Sequence, residues 1–333
     1  MKAVVVRRPG ADDPLEVVEL PDPGRPAFGE VRVRLHGSTI NYHDSLTIRS
    51  ASTSSGHIPL ADGAGVVEEV GPGVDDLAAG DRVVAGFFPF WNDGGPTDDT
   101  FGRTAGLGIA GHAREIIVAP ATQFVPAPRG YSHTEAATLT VAGLTAWRAL
   151  VTDAAVKPGD QVLILGTGGV AVFALQFAKL LGATAIVTSS SDAKLERARE
   201  LGADHTVNYR TVPDWGRHVF DLTGGGVDVV VDVGGPATLP QSIGAARVGG
   251  LISVIGVLTG VDGPVPTGAL TMKQLRLHGL VVGSRAQQRQ MIRALDGTGL
   301  RPVLDRTFAL DDLAEAVRYF SSGVHLGKVA VAF

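Results

Sequence analysis

Gln161-Val162-Leu163-Ile164-Leu165-Gly166-Thr167-Gly168-Gly169-Val170-Ala171 is an apolar run that ends in a Gly-x-Gly-x-x-Ala pattern and continues into an amphipathic segment. Each position answers a physical demand. Gly166 permits a tight turn, Gly168 lets backbone approach a pyrophosphate, and Ala171 is small enough for strand and helix to pack closely. The helix that follows, Val170 to Leu181, offers unpaired N–H groups and the positive end of its dipole to phosphates. A glycine triad alone is weak evidence. Here the strand before it and the helix after it supply the context that makes Gly166, Thr167, Gly168, Gly169 and Val170 a candidate dinucleotide site.

Working outward, strands and helices alternate: Gln161 to Leu165, Val170 to Leu181, Thr184 to Thr188, Asp192 to Leu201, with further strands at Val227 to Val231 and Leu251 to Ile255. β-Branched apolar strands separated by helices imply a parallel sheet covered on both faces. The second strand bears on the dinucleotide. An NAD site usually carries an acid near its end for the ribose 2′-hydroxyl. This strand ends Ser189-Ser190-Ser191, whose hydroxyls can donate to a 2′-phosphate, and Lys194 can neutralise it. Asp192 reads as the N-cap of the next helix. The spacing therefore favours NADP(H); read as a plain polar turn, the same serines would admit either dinucleotide.

The first third has a different texture. Short runs at Val4 to Val6, Val31 to Leu35, Gly65 to Val70, Arg82 to Ala85 and Glu115 to Val118 are bounded by Pro, Gly or Asp, as in a compact β domain. The aromatic cluster Phe87, Phe88, Phe90 and Trp91 reads as core packing, and Trp91 to Gly111 as a long loop near a substrate mouth. A capping box at Ser132 and Glu135 opens a helix through Ala137, and another helix is expected over Gly143 to Val151. The tail returns to the first texture with a helix at Asp311 to Phe320 and a strand at Lys328 to Ala332.

Composition agrees with a packed enzyme. The 333 residues exceed what one core usually holds, and 44% hydrophobic against 19% charged residues suits a globular chain. A net charge of −5 with scattered Lys and Arg gives no reason to expect nucleic acid as a partner. The absence of cysteine excludes disulfides and any Cys-ligated zinc. The opening MKAVVVRRPG lacks the apolar core of a signal peptide, and no stretch is apolar enough for a membrane span, so a cytoplasmic location is expected.

With these residues in view, the chain resembles the zinc-independent, quinone-oxidoreductase-like branch of the medium-chain dehydrogenase/reductase superfamily. Its whole length is covered, through Ile40-Asn41-Tyr42-His43-Asp44, Asp62-Gly63-Ala64-Gly65-Val66-Val67, Gly80-Asp81-Arg82-Val83, Gly143-Leu144-Thr145-Ala146-Trp147, the glycine turn and Leu326-Gly327-Lys328-Val329. The resemblance implies a GroES-like β-barrel catalytic domain, residues 1–125 and 299–333. It implies a Rossmann doubly wound parallel-sheet domain, residues 126–298, with the active site in the cleft between them. Asn41 and Asp44 match the Asn-x-x-Asp motif at the nicotinamide end, and Thr145 matches a threonine near the nicotinamide. Lys194 and Tyr209 match contacts to the 2′-phosphate. Gly256 and Val282-Gly283-Ser284 resemble loops beside the carboxamide. A homodimer, through the sheet edge around Leu275 to Val282, is also implied.

The chain departs from zinc-dependent relatives. They carry Cys where it has Asn41, and Gly-His-Glu where it has Leu60-Ala61-Asp62. Without the cation, no strong Lewis acid polarises a substrate oxygen. A site assembled from His36, His43, His57 or His112 with a carboxylate is the alternative; separate core or surface histidines are the expected reading. The implied activity is hydride transfer between NADPH and a quinone, enone or aldehyde. Tyr42 and His43 are the nearest proton donors, and Asn41 and Asp44 are orienting groups. Two alternatives stand beside it: an alcohol or aldehyde dehydrogenase, and a non-catalytic NADPH-binding protein of the lens-crystallin kind.

Overall fold

The computed structural model describes residues 1–101 and 103–333. It divides into two compact units, Met1–Leu144 with Val282–Phe333, and Thr145–Val281. The sequence drew its boundaries at 125/126 and 298/299; packing draws them at 144/145 and 281/282.

The first unit begins with a hairpin of β1 (Lys2–Val6) and β2 (Leu15–Glu19). There follow β3 (Glu30–Thr39), α1 (Tyr42–Arg49), β4 (Ala64–Val70), β5 (Arg82–Ala85), α2 (Asp98–Phe101), β6 (Ile116–Pro120), β7 (Phe124–Pro126) and α3 (His133–Ala137). β3 pairs antiparallel with each of its neighbours and shows the residue pattern of such a strand. Val31, Val33 and Leu35 are buried while Arg32, Arg34 and His36 between them are not, the period of a strand with one wetted face. The expected loop from Trp91 to Gly111 carries one turn of helix, α2, and an isolated bridge between Ala105 and Ile109.

In the second unit α4 (Leu144–Trp147), which opens in the first, is followed by β8 (Gln161–Leu165), α5 (Gly169–Leu180), β9 (Thr184–Ser189), α6 (Asp192–Glu200) and β10 (His205–Asn208). Then come α7 (Trp215–Leu222), β11 (Val227–Asp232), α8 (Leu239–Ala245), β12 (Ala246–Val254), α9 (Thr267–Met272) and β13 (Arg276–Gly279). The six strands lie in the order β10-β9-β8-β11-β12-β13, all parallel, which is the dinucleotide-fold order 3-2-1-4-5-6. β8 and β11 are buried almost throughout because helices cover both faces. The helix expected over Gly143 to Val151 is α4 flanked by π-helical turns at Leu139–Gly143 and Arg148–Asp153.

The chain then returns to the first unit with α10 (Arg285–Thr298), β14 (Leu304–Ala309), α11 (Leu313–Ser321) and β15 (Lys328–Ala332). Its larger sheet runs β14-β15-β3-β4-β5-β7, with β6 also on β3. α10 belongs here because it packs on β7, with Gln288 Nε2 donating to Ala85 O at 3.0 Å and Arg285 reaching Phe124 O. Among the described residues no helix is long and apolar enough to cross a membrane.

Candidate active site

In the second unit the glycine turn has the form its sequence demands. Gly166 holds φ +82°, a left-handed conformation that L side chains rarely adopt, and its N–H donates to Thr188 O at 2.9 Å. Gly168 is the N-cap of α5 with no side-chain cap, and a Cβ there would meet nothing within 4 Å. The first N–H groups of α5 thus have open space and no internal acceptor, the arrangement a phosphate requires. Thr167 is buried beside them.

At the end of β9 the capping differs from the sequence reading. Ser191, not Asp192, is the N-cap of α6: its hydroxyl accepts from Lys194 N, and Asp192 is the first helical residue with its carboxylate taken by Asn208 Nδ2 at 2.7 Å. The extended backbone of Ser191 suits a cap, and the preceding serines remain as the polar end of the strand. Ser189 is buried, Ser190 half-buried, and Tyr209 exposed, its N–H donating to Ser189 O at 3.1 Å. Gly256 lies after β12 where a Cβ would come within 1.7 Å of Val233 O, so the loops after β11 and β12 run in backbone contact. Asp232 ties down the first of these loops. Its Oδ1 accepts from Gly234 N, Gly235 N and Thr238 Oγ1, and its Oδ2 from Ser242 Oγ. Thr145, on α4, is 2% exposed.

In the first unit the motif 41–44 opens α1. Asn41 is the N-cap, and Asp44 Oδ2 accepts from Asn41 N at 2.8 Å, the return arm of a capping box. Asp44 is fully buried; its Oδ2 also lies 3.2 Å from Asn41 Nδ2, and its Oδ1 accepts from Ala61 N at 2.9 Å. His43 Nε2 stands 3.2 Å from Asp44 Oδ1, close enough for an ion pair though off the line of a straight hydrogen bond. The imidazole is 26% exposed and sits edge-on to Phe87. Burial opposes its protonation, but the Asp44 carboxylate outweighs that, with Asp62 adding and Lys328 subtracting, and the net shift is upward. Asp44 moves the other way: burial would raise it, but His43, the Asn41 N–H and Lys328 together hold it below the usual range. Tyr42 is 38% exposed.

Two residues outside the expected set complete this cluster. Asp62, fully buried, accepts from Thr39 Oγ1, and Lys328 Nζ lies 3.2 Å from its Oδ2. The same ammonium donates to Ile40 O at 2.9 Å and Asn41 Oδ1 at 2.5 Å. Burial and the Asp44 charge push Asp62 upward despite Lys328. The signal for Lys328 was present: it is a cation at the head of an otherwise apolar strand, in a motif quoted only for the family likeness.

Asp62 is aimed by a strained residue. Leu60 is fully buried with φ +72°, a conformation costing roughly 1–2 kcal/mol for a residue with a Cβ. Glycines at 106 and 111 let the neighbouring chain press against it; a Cβ on Gly111 would fall 2.3 Å from Leu60 O. His112 closes the arrangement, its N donating to Leu60 O, its Nδ1 2.9 Å from Ala61 O and its Nε2 3.1 Å from Gln123 Nε2. These partners require the neutral Nδ1–H tautomer. The other histidines have separate surroundings: His57 Nε2 lies 3.0 Å from Gly106 O, and the His36 ring lies tilted against that of His133. Among the described residues no group of three or more His, Asp or Glu side chains is arranged to hold a metal ion. The aromatic cluster packs as expected at Phe87, Phe88 and Trp91, all buried, whereas Phe90 is exposed beneath the Arg103 guanidinium.

Val282, Gly283 and Ser284 fall in the first unit. Val282 holds φ +46°, and the Ser284 hydroxyl is spent on capping α10, with Gln287 returning to Ser284 N.

Two family models match this chain: the alcohol dehydrogenase GroES-like domain over residues 27–129 and the zinc-binding dehydrogenase model over 169–297. The chain belongs to the medium-chain dehydrogenase/reductase superfamily of oxidoreductases, as its two units and its motifs imply. It is 40% identical over 327 residues to the zinc-type alcohol dehydrogenase-like protein C1773.06c of Schizosaccharomyces pombe, covering 95% of this chain and 94% of that one. It is 32% identical over 352 residues to a 2-haloacrylate reductase of a Burkholderia species, covering 99% and 98%. A solved NAD-dependent alcohol dehydrogenase superposes with a TM-score of 0.89 at 36% identity over the full length of both chains.

Burial of His112, with Arg114 nearby, holds its imidazole down to about 4. A depressed histidine contributes stability that is intact above its unfolded value of about 6.5 and lost as pH falls toward the folded value. Denaturation midpoints should therefore fall between pH 7 and pH 4.5, with a full penalty below pH 4 on the order of 3 kcal/mol. In His112→Gln the fall should be shallower but not absent, since burial also holds His133 down to about 4. Equal slopes in the two proteins would show that His112 does not set acid stability.

Proposed function

We propose that this chain is an NADPH-dependent reductase of quinones or α,β-unsaturated carbonyls that works by hydride transfer without zinc. One observation carries the reading. At the positions where zinc-dependent relatives carry ligands, Asn41 Oδ1 and Asp62 Oδ2 are both engaged by the Lys328 ammonium. His43 and Tyr42 are then the groups able to serve a substrate oxygen. The named activity of the Burkholderia relative, reduction of a haloacrylate, supports an activated alkene as the substrate class.

The second unit fits the dinucleotide through the uncapped α5 N-terminus and the open space at Gly168. Ser190, Lys194 and Tyr209, with no acid at the end of β9, favour a 2′-phosphate. When bound, the reduced dinucleotide supplies a hydride. The chain's own residues handle the charge that develops on the substrate. His43, whose charged form the Asp44 carboxylate favours, can offer an N–H to the developing oxyanion or enolate and then give up that proton. Asp44 stays ionised among its N–H donors, and its charge favours reprotonation of the imidazole by solvent water. Tyr42, exposed at the preceding position, is the second donor.

The names of the yeast and NAD-dependent relatives favour a second reading, an alcohol or aldehyde dehydrogenase. For the dimer, β13 is an edge strand of the six-stranded sheet, with Leu277, Val281, Met272 and Val248 exposed around it. An uncovered apolar edge of this kind invites pairing, and we assign it to a second copy of the chain.

Three outcomes test these proposals. Calorimetry should show NADPH binding more tightly than NADH, and Lys194→Ala should weaken NADPH by about 10- to 100-fold while leaving NADH nearly unchanged. A preference for NADH would overturn the cofactor assignment. In a stopped-flow screen of quinones, enones and aldehydes, NADPH oxidation should be insensitive to chelator, and His43→Ala should slow it by about 100-fold or more. Chelator-sensitive turnover of alcohols would favour the dehydrogenase reading, and wild-type rates in both His43→Ala and Tyr42→Phe would remove both donors. Light scattering should give twice the 34.4 kDa chain mass, reduced to one chain by Leu277→Glu; a monomeric wild type rejects the edge pairing.

A further inference from the structure

Lys328 opens β15 and is 3% exposed, with each of its ammonium hydrogens matched to an oxygen: Ile40 O at 2.9 Å, Asn41 Oδ1 at 2.5 Å and Asp62 Oδ2 at 3.2 Å. An ammonium carries three donors and no acceptor, so this set saturates it. Taking a cation this far out of water is costly, and an apolar side chain of similar length would fill the space without that cost. The cost is met by what the lysine touches. Ile40 O is a fixed backbone acceptor, and Asp62 is a buried carboxylate whose other oxygen, Oδ1, has no hydrogen-bond partner.

The third acceptor is the informative one. The Asn41 amide lies between the Lys328 ammonium on its oxygen side and the Asp44 carboxylate on its nitrogen side, Nδ2 to Oδ2 being 3.2 Å. Turning the amide over would set NH₂ against NH₃⁺ and a carbonyl oxygen against a carboxylate. Both contacts would be repulsive, so the amide has one orientation. Asn41 caps α1 through a capping box with Asp44, and its side-chain oxygen also accepts from Lys328.

We propose that Lys328 is a positioning residue: its ammonium, anchored on Ile40 and Asp62, locks the Asn41 amide against Asp44 and so fixes the carboxylate that faces His43. The kinetic half of this rests on His43 serving as the proton donor; the clamp itself does not. The charged and titratable groups around His43 are Asp44 on α1, Asp62 before β4 and Lys328 on β15. Phe87 closes the ring's edge.

The test uses the full chain. Lys328→Met alone strands Asp62 without its cation and can unfold the protein, so the decisive variant is Lys328→Met with Asp62→Asn, which removes both charges together. Its folding is checked by thermal unfolding. In wild type, hydrogen exchange of the Asn41 side-chain amide, assigned by its loss in Asn41→Ala, should be slow; in the double variant it should speed up by at least about 10-fold. With a quinone or enone that wild type reduces, kcat should fall by about 100-fold, the scale of a misplaced catalytic group, while KM for NADPH stays within twofold. A folded double variant with wild-type amide exchange overturns the clamp, whatever its kcat. Faster exchange with wild-type kcat overturns the positioning role. Should His43→Ala turn over normally, the donor reading falls alone and the amide exchange still decides the clamp.

Discussion

The first unit depends on keeping two carboxylates, Asp44 and Asp62, completely out of water on neighbouring segments. A buried, unpaired carboxylate is so unfavourable that it either protonates or finds compensation. Asp44 finds it in N–H donors from Asn41 and Ala61 and in the imidazole of His43, and so remains ionised. Asp62 has a hydroxyl, one cation and one bare oxygen, and its proton affinity rises. The contrast sets the site's electrostatics: one carboxylate favours the charged form of its neighbour His43, and the other pairs with the lysine that orders the amide between them.

The second unit handles its buried acid differently. Asp232 is as deeply buried as Asp44, yet no cation approaches it among the bonds it makes; two backbone N–H groups and two hydroxyls share its oxygens. The result is a rigid loop after β11 whose backbone lies against the loop after β12, a contact that only a residue without Cβ at 256 allows. Together with the turn at Gly166, this fixes the backbone at the carboxyl ends of β8, β11 and β12, the edge at which parallel α/β sheets bind ligands. Side-chain chemistry is concentrated in the first unit and backbone geometry in the second.

How much of this the sequence disclosed follows from how local each feature is. The glycine turn and the strands and helices immediately after it were legible because a strand, a turn and a helix adjoin in the chain and each imposes its own residue preferences. α10 was missed although Ser284 and Gln287 form a capping box, because its Arg-Ala-Gln-Gln-Arg-Gln opening hides the buried stripe of Gln288, Met291, Ile292 and Leu295. The Asn-x-x-Asp motif was found, but its partner Lys328 lies 287 residues beyond Asn41, and no local pattern links the two. The shift of the N-cap from Asp192 to Ser191 is the ordinary one-residue uncertainty between two good cap residues.

Leu60 shows how the core of the first unit holds a strained turn in place. The family resemblance sets Leu60 at the glycine of the Gly-His-Glu motif expected in zinc-dependent relatives. A glycine adopts a left-handed backbone freely, whereas leucine pays in strain. Here the backbone adopts that conformation with φ +72° despite the leucine, held by the packing of Gly106 and Gly111 on one side and by the Ile40, Ile48 and Ile58 cluster on the other. Burying the leucine side chain offsets the strain, since a fully buried leucine contributes about 1.5–3 kcal/mol against roughly 1–2 for the conformation. The turn therefore continues to deliver residue 62 into the cluster, where its carboxylate meets a lysine. A backbone geometry that glycine would adopt freely is held in this chain by its hydrophobic core.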